Sequence, residues 1–113
     1  MAKDVAVVIS GDPHQTHLPV EALRIALGLC AGEHRTTVIL LGHAPLLLTE
    51  ETDDIVDVDI LEKYLPSFSH LKVPFLIEKG SFDKPLRDDF TVSAVSPDEI
   101  RGFLHSSERS LVF

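Results

Sequence analysis

The 113 residues make one domain, 1–113, long enough to bury a single core, and 44 % apolar against 25 % charged excludes a disordered chain. A formal charge of −8 disfavours binding to nucleic-acid phosphates, and no apolar run is long enough to cross a bilayer. One cysteine excludes an internal disulfide, and the start MAKDVAVV lacks the apolar length and cleavage site of a signal peptide, so a cytoplasmic protein is expected.

Val5 to Ser10 (VAVVIS) is a continuous run rich in β-branched residues, the pattern of a strand covered on both faces in a parallel sheet. Gly11 ends it, and the loop to Leu18 holds Asp12, His14, Gln15, Thr16 and His17. Pro19 fits the first turn of a helix and Glu21 suits the positive end of its dipole. That helix is expected to stop near Ala31, with Gly32 as a left-handed cap. Its polar stripe is only Glu21, Arg24 and Gly28, more apolar surface than one sheet face buries, so a second cover from another subunit is expected. Cys30, late in this helix among apolar neighbours, reads as a buried core residue.

Thr36 to Leu41 is the second strand, closed by Gly42 and followed by His43, with Ala44 to Leu48 as a short apolar helical turn. From Glu50 to Glu62, thirteen residues hold seven acids and no base, a surface crossing with no glycine for an EF-hand loop. Val58, Leu61, Leu65, Phe68 and Leu71 recur at helical spacing, and Pro66 is expected to kink or split that helix near Leu65. Val73 to Ile77 is the third strand and Phe90 to Val95 the fourth. Ser96-Pro97-Asp98-Glu99 is a capping box opening a helix with Ile100, Phe103 and Leu104 on one face. Ser110 to Phe113 is the last strand. Alternation of β and α with short links predicts an α/β three-layer sandwich with a mostly parallel five-stranded sheet.

Ligands of open parallel sheets bind beyond the carboxyl ends of the strands. The candidate cleft is therefore Asp12, His14, Gln15 and His17 after the first strand, His43 after the second, and Lys79 and Ser81 after the third. Three imidazoles, His14, His17 and His43, suit zinc with an open position, and Asp12 suits a fourth ligand or base. An anion held by this loop, the following helix dipole and Lys79 is a second reading, and solvated loop histidines a third. The loop has one glycine, which excludes a dinucleotide fingerprint and a P-loop, and no nucleophile elbow surrounds Ser10 or Ser81. His34, His70 and His105 read as surface or capping residues.

The segments VAVVISGDP, EALRIALGLC, TVILLGHAPLLL, YLPSFSHLKVPFLIEKG and SPDEIRGFLHSSERSLVF together resemble the DsrE/DsrF-like family of small sulfur-relay proteins, which includes the TusB, TusC and TusD subunits. The resemblance implies a single DsrE/F-like domain in a cytoplasmic homo-oligomer, a trimer or hexamer, or in a hetero-oligomer with related sulfur-relay subunits, holding or passing persulfide sulfur. It places the sulfur-carrying cysteine in the loop after the third strand. Glu78 to Pro85 contains none. The implied role is then a non-catalytic or atypical component, the missing loop cysteine weighs against an enzyme, and no cofactor is expected apart from the zinc considered above. The alternatives are a small-ligand- or metal-binding domain or enzyme using the strand-end histidines, and a plain assembly module.

Overall fold

The structure is a computed structural model and describes residues 3–113. The elements in chain order are β1 (Asp4–Ile9), α1 (Leu18–Ala31), β2 (Arg35–Leu40), a 3₁₀ segment (Ala44–Leu48), α2 (Val58–Leu71), β3 (Pro74–Glu78), β4 (Thr91–Val95), α3 (Pro97–Ser106) and β5 (Arg109–Val112). All five strands are parallel, in the order β4-β3-β2-β1-β5. The strand limits differ from the sequence pattern by a single residue, which is the ordinary uncertainty of element ends.

Register divides the side chains between two faces, because directly paired residues of a parallel sheet share a face. Val5, Val7 and Ile9 pair with Thr36, Val38 and Leu40, and Val38 pairs with Phe75; α1, α2 and the 3₁₀ segment bury this face. Ala6, Val8, Ile39 and Leu76 occupy the other face under Ile100, Phe103 and Leu104 of α3. Steps β1 to β4 all move in one direction with their connections on the first face. The step from β4 to β5 then passes back across the sheet on the second face, carried by α3. The capping box is formed, with Glu99 N–H donating to Ser96 Oγ at 3.1 Å.

Three expectations require correction. Pro66 does not split α2, which runs unbroken from Val58 to Leu71. Leu61, Leu65 and Phe68 anchor both halves in the core, and Glu62 and Pro66 are exposed, so the carbonyl that loses its donor faces solvent. The cover of α1 is revised in part: α2 packs beside it within the same chain, while Leu18 stays exposed and Leu27, Leu29 and Cys30 are only partly buried. Gly32 is not the left-handed cap: its φ is −82°, and the reversal falls on Glu33 at 67°. Glu33 N–H donates to Cys30 O at 3.0 Å and His34 N–H to Leu29 O at 3.1 Å, the two bonds of a Schellman motif. α2 ends the same way, with Lys72 at φ 54°, bonds from Lys72 N–H to Ser69 O and from Val73 N–H to Phe68 O, both 3.2 Å, and Val73 buried.

On the exposed side of α1, the Arg24 guanidinium donates to Glu21, and that bond holds the Glu21 carboxyl below its usual range. Phe68, Phe75 and Phe90 form the aromatic part of the core, with centroids 5.6 and 6.0 Å apart. They join α2, β3 and the entry to β4.

The two left-handed residues that close α1 and α2 carry a Cβ that this backbone disfavours by roughly 1 kcal/mol. Glu33→Gly and Lys72→Gly should each raise unfolding free energy by about 0.5 to 1 kcal/mol in urea titrations. Gly32→Ala should not lower stability, since Gly32 has φ −82° and the added Cβ comes no closer than 3.4 Å to a neighbour.

Candidate functional site

Because every strand is parallel, the loops after β1, β2 and β3 all leave from one edge of the sheet. β1 and β2 are neighbours, and their ends are stitched by Leu41 N–H donating to Ile9 O at 2.9 Å. Gly42, at φ 59°, turns the chain after β2 against Ser10.

The loop after β1 is an Asx-type turn. Asp12 Oδ1 accepts from His14 N–H at 2.9 Å, and Asp12 O accepts from Gln15 N–H and Thr16 N–H at 3.0 and 3.1 Å. His14, Gln15 and His17 are exposed, and His17 caps α1 through its backbone carbonyl, to Glu21 N–H, rather than its ring. His43 is exposed at the head of the 3₁₀ segment, also without a side-chain cap bond. Lys79 and Ser81 follow β3, on the far side of β2 from the β1 loop. Lys79 N–H donates to Val95 O at 2.8 Å and Ser81 Oγ–H to Glu78 O at 2.7 Å.

The seven residues share an edge, as the topology requires, but among the described residues no group of three or more His, Cys, Asp or Glu converges closely enough to hold a metal ion. The expected meeting of His14, His17 and His43 on one zinc does not occur in this arrangement. The Asx turn and the 3₁₀ segment fix the backbone with no bond to an imidazole, and all three rings are on exposed residues.

A cavity of about 460 Å³ lies further along, between Thr49–Glu51 and Lys84–Asp88, and none of the seven residues lines it. At its centre Arg87 is mostly buried. Its Nε donates to Thr49 O at 2.9 Å, its Nη2 to Glu62 Oε1 at 3.2 Å, and its main-chain N–H to Leu48 O at 2.8 Å. Thr52, itself buried, donates from Oγ1 to the same Glu62 oxygen at 3.0 Å. Arg87 thus ties the connection after β3 to α2 and to the segment after the 3₁₀ turn. Sequence reasoning missed it because its partners lie 25 and 38 positions away, and no local pattern encodes a contact at that separation. The only signal was that Arg87 is the one arginine, beside Lys79 and Lys84, in a segment with neither helical nor strand periodicity.

Cys30 is half-buried rather than fully covered, which corrects the core reading. It borders a groove of about 410 Å³ with His34, Lys72 and Pro74, at the edge where β2 and β3 begin. The thiol therefore stands at the end of the sheet opposite to the strand-end loops.

No protein-family model matches the sequence, and no curated protein matches it. Among solved structures the chain is similar to the crystal structure of the ychN protein from E. coli, with a TM-score of 0.79 and 21 % identity over 100 % of both chains. That likeness is one of fold: a three-layer α/β sandwich on a five-stranded parallel sheet, of the DsrE-like kind.

Replacing Arg87 by Lys keeps one charge but loses the forked geometry that reaches Thr49 and Glu62 together. Arg87→Lys should lower unfolding free energy by about 1 to 2 kcal/mol in urea titration, with Arg87→Ala at least as damaging.

Proposed function

We propose that the chain is a non-catalytic DsrE/F-like protein, an oligomeric binding or scaffold component associated with intracellular persulfide transfer in the cytoplasm. The observation that carries this reading is the placement of thiol chemistry. Residues 79–90, the connection after β3, contain no cysteine, and the single thiol of the chain stands at the opposite edge of the sheet. A domain of this fold without a thiol at its strand ends has no nucleophile there to accept sulfane sulfur. Its contribution lies in holding partners.

Self-association draws support from β5. This strand has an unpaired outer edge and no buried residue, and it exposes Leu111 by 37 % and Val112 by 71 %. An edge strand that exposes apolar side chains favours pairing or cover by another chain. Light scattering at micromolar concentration should give a multiple of the 12.5 kDa chain mass, and Val112→Glu combined with Leu111→Glu should shift it toward the monomer.

The sulfur reading is tested with a persulfide-charged donor and a small acceptor thiol. The protein should pass no sulfane sulfur, and Cys30→Ser should behave as the unsubstituted chain does. Catalytic turnover that disappears in Cys30→Ser would restore a relay role and overturn the scaffold reading. Maleimide should label Cys30 in the native state without denaturant, more slowly than in the unfolded chain, since the thiol is half-buried.

A further inference from the structure

The crossover from β3 to β4 is the only one among the described elements built without a helix, and it borders a groove. Parallel strands are ordinarily joined by a crossover that lays a helix on the sheet. α1, α2 and α3 do this for the other three connections, whereas residues 79–90 return from the carboxyl end of β3 to Thr91 with neither helix nor strand. An irregular connection of this length is uncommon in a compact domain and usually functional.

Only Leu86 and Phe90 of this connection pack into the core. Beside it lie three cavities of about 460, 540 and 330 Å³ that share Arg87 and together follow α2 from the level of Thr49 to His70. The groove is held open by fixed walls. Arg87 fastens the connection at Leu48, Thr49 and Glu62, and further along Ser69 Oγ–H donates to Asp89 O at 2.8 Å.

Charge selects the occupant. Glu50, Glu51, Asp88 and Asp89 are exposed along the groove, while the charge of Arg87 is matched by Glu62, leaving Lys84 as the one ammonium facing four carboxylates. A cleft with this balance concentrates cations and repels anions. The carboxylates are not gathered into a group that could hold a metal ion. They are spread along the cleft, with apolar surface from Pro66, Pro85 and Leu86 between them. Distributed carboxylates separated by apolar surface match a chain of alternating basic and apolar side chains better than a compact ion.

We propose that this groove docks an extended lysine- or arginine-bearing peptide segment of a partner protein. The inference rests on the scaffold reading above and supplies the chemistry of its partner.

The probe is a fluorescein-labelled peptide in which lysine alternates with alanine and leucine, read by anisotropy against a counterpart with glutamate for lysine. The lysine peptide should bind, more weakly as salt is added, and the glutamate peptide should not. Glu50→Gln, Glu51→Gln and Asp88→Asn combined should weaken binding by about tenfold. Asp53→Asn, Asp54→Asn and Asp59→Asn combined remove the same charge from exposed positions that line none of the three cavities, and should change affinity by less than about twofold. Should the first set fail to fold, amide shift mapping on the unsubstituted protein decides, with perturbations expected at 49–51, 62–70 and 84–89.

Absence of binding, equal losses in both sets, or shifts centred elsewhere would overturn the proposal. Spermine bound as tightly as the peptide, with the same mutational pattern, would also overturn it in favour of a polyamine site. Failed docking with no sulfur transfer overturns this inference alone, because the persulfide measurement tests the scaffold reading separately.

Discussion

Burial of β1 on both faces is the constraint from which the architecture follows. Val5 to Ile9 are five consecutive apolar residues with exposures of 0 to 5 %, and such a strand is stable only between two layers. α1 and α2 supply one layer and α3 the other. A strand covered on both faces sits well inside a parallel sheet, which sends every following loop to one edge. The polar residues after β1, β2 and β3 share an edge for this reason, whatever their chemistry.

The same constraint separates the chemistry of the chain into two places. Loops after strands and loops before strands stand at opposite ends of a parallel sheet. Cys30, at the close of α1, belongs to the second group, and His14, His17, His43, Lys79 and Ser81 to the first. The thickness of the sheet along its strands lies between them. A thiol and a strand-end cleft so placed do not cooperate within one subunit, and the scaffold role proposed above rests on that separation.

Where the layer of helices is interrupted, side-chain bonds take over. The connection from β3 to β4 has no internal helical ladder, so its position depends on Arg87 and on the Ser69 bond to Asp89 O, with Leu86 and Phe90 as apolar anchors. Arg87 is suited to this because one planar guanidinium reaches a backbone carbonyl and a carboxylate at once. The acidic segment is drawn into the same arrangement. Its charged residues stay in solvent, but Thr52 and Ile55 are buried, Thr52 bonds Glu62, and Val56 N–H donates to Pro13 O at 2.9 Å. It is pinned at several points.

Sequence by itself determined the α/β alternation, the buried character of β1 and β2, the capping box at Ser96 and the 3₁₀ segment at Ala44–Leu48, because each depends on residues within one turn or one strand of each other. It also determined that the candidate polar loops share an edge, once the strands were read as parallel. The tertiary structure alone decided the order β4-β3-β2-β1-β5, the survival of α2 through Pro66, the pairing of α1 with α2, and the half-exposure of Cys30. It decided as well that the strand-end imidazoles form no three-ligand group among the described residues, while Arg87 gathers Leu48, Thr49 and Glu62. These outcomes depend on contacts between residues far apart in the chain, whose energies outweigh a local preference such as the helix-breaking tendency of proline and leave no periodic trace in the sequence.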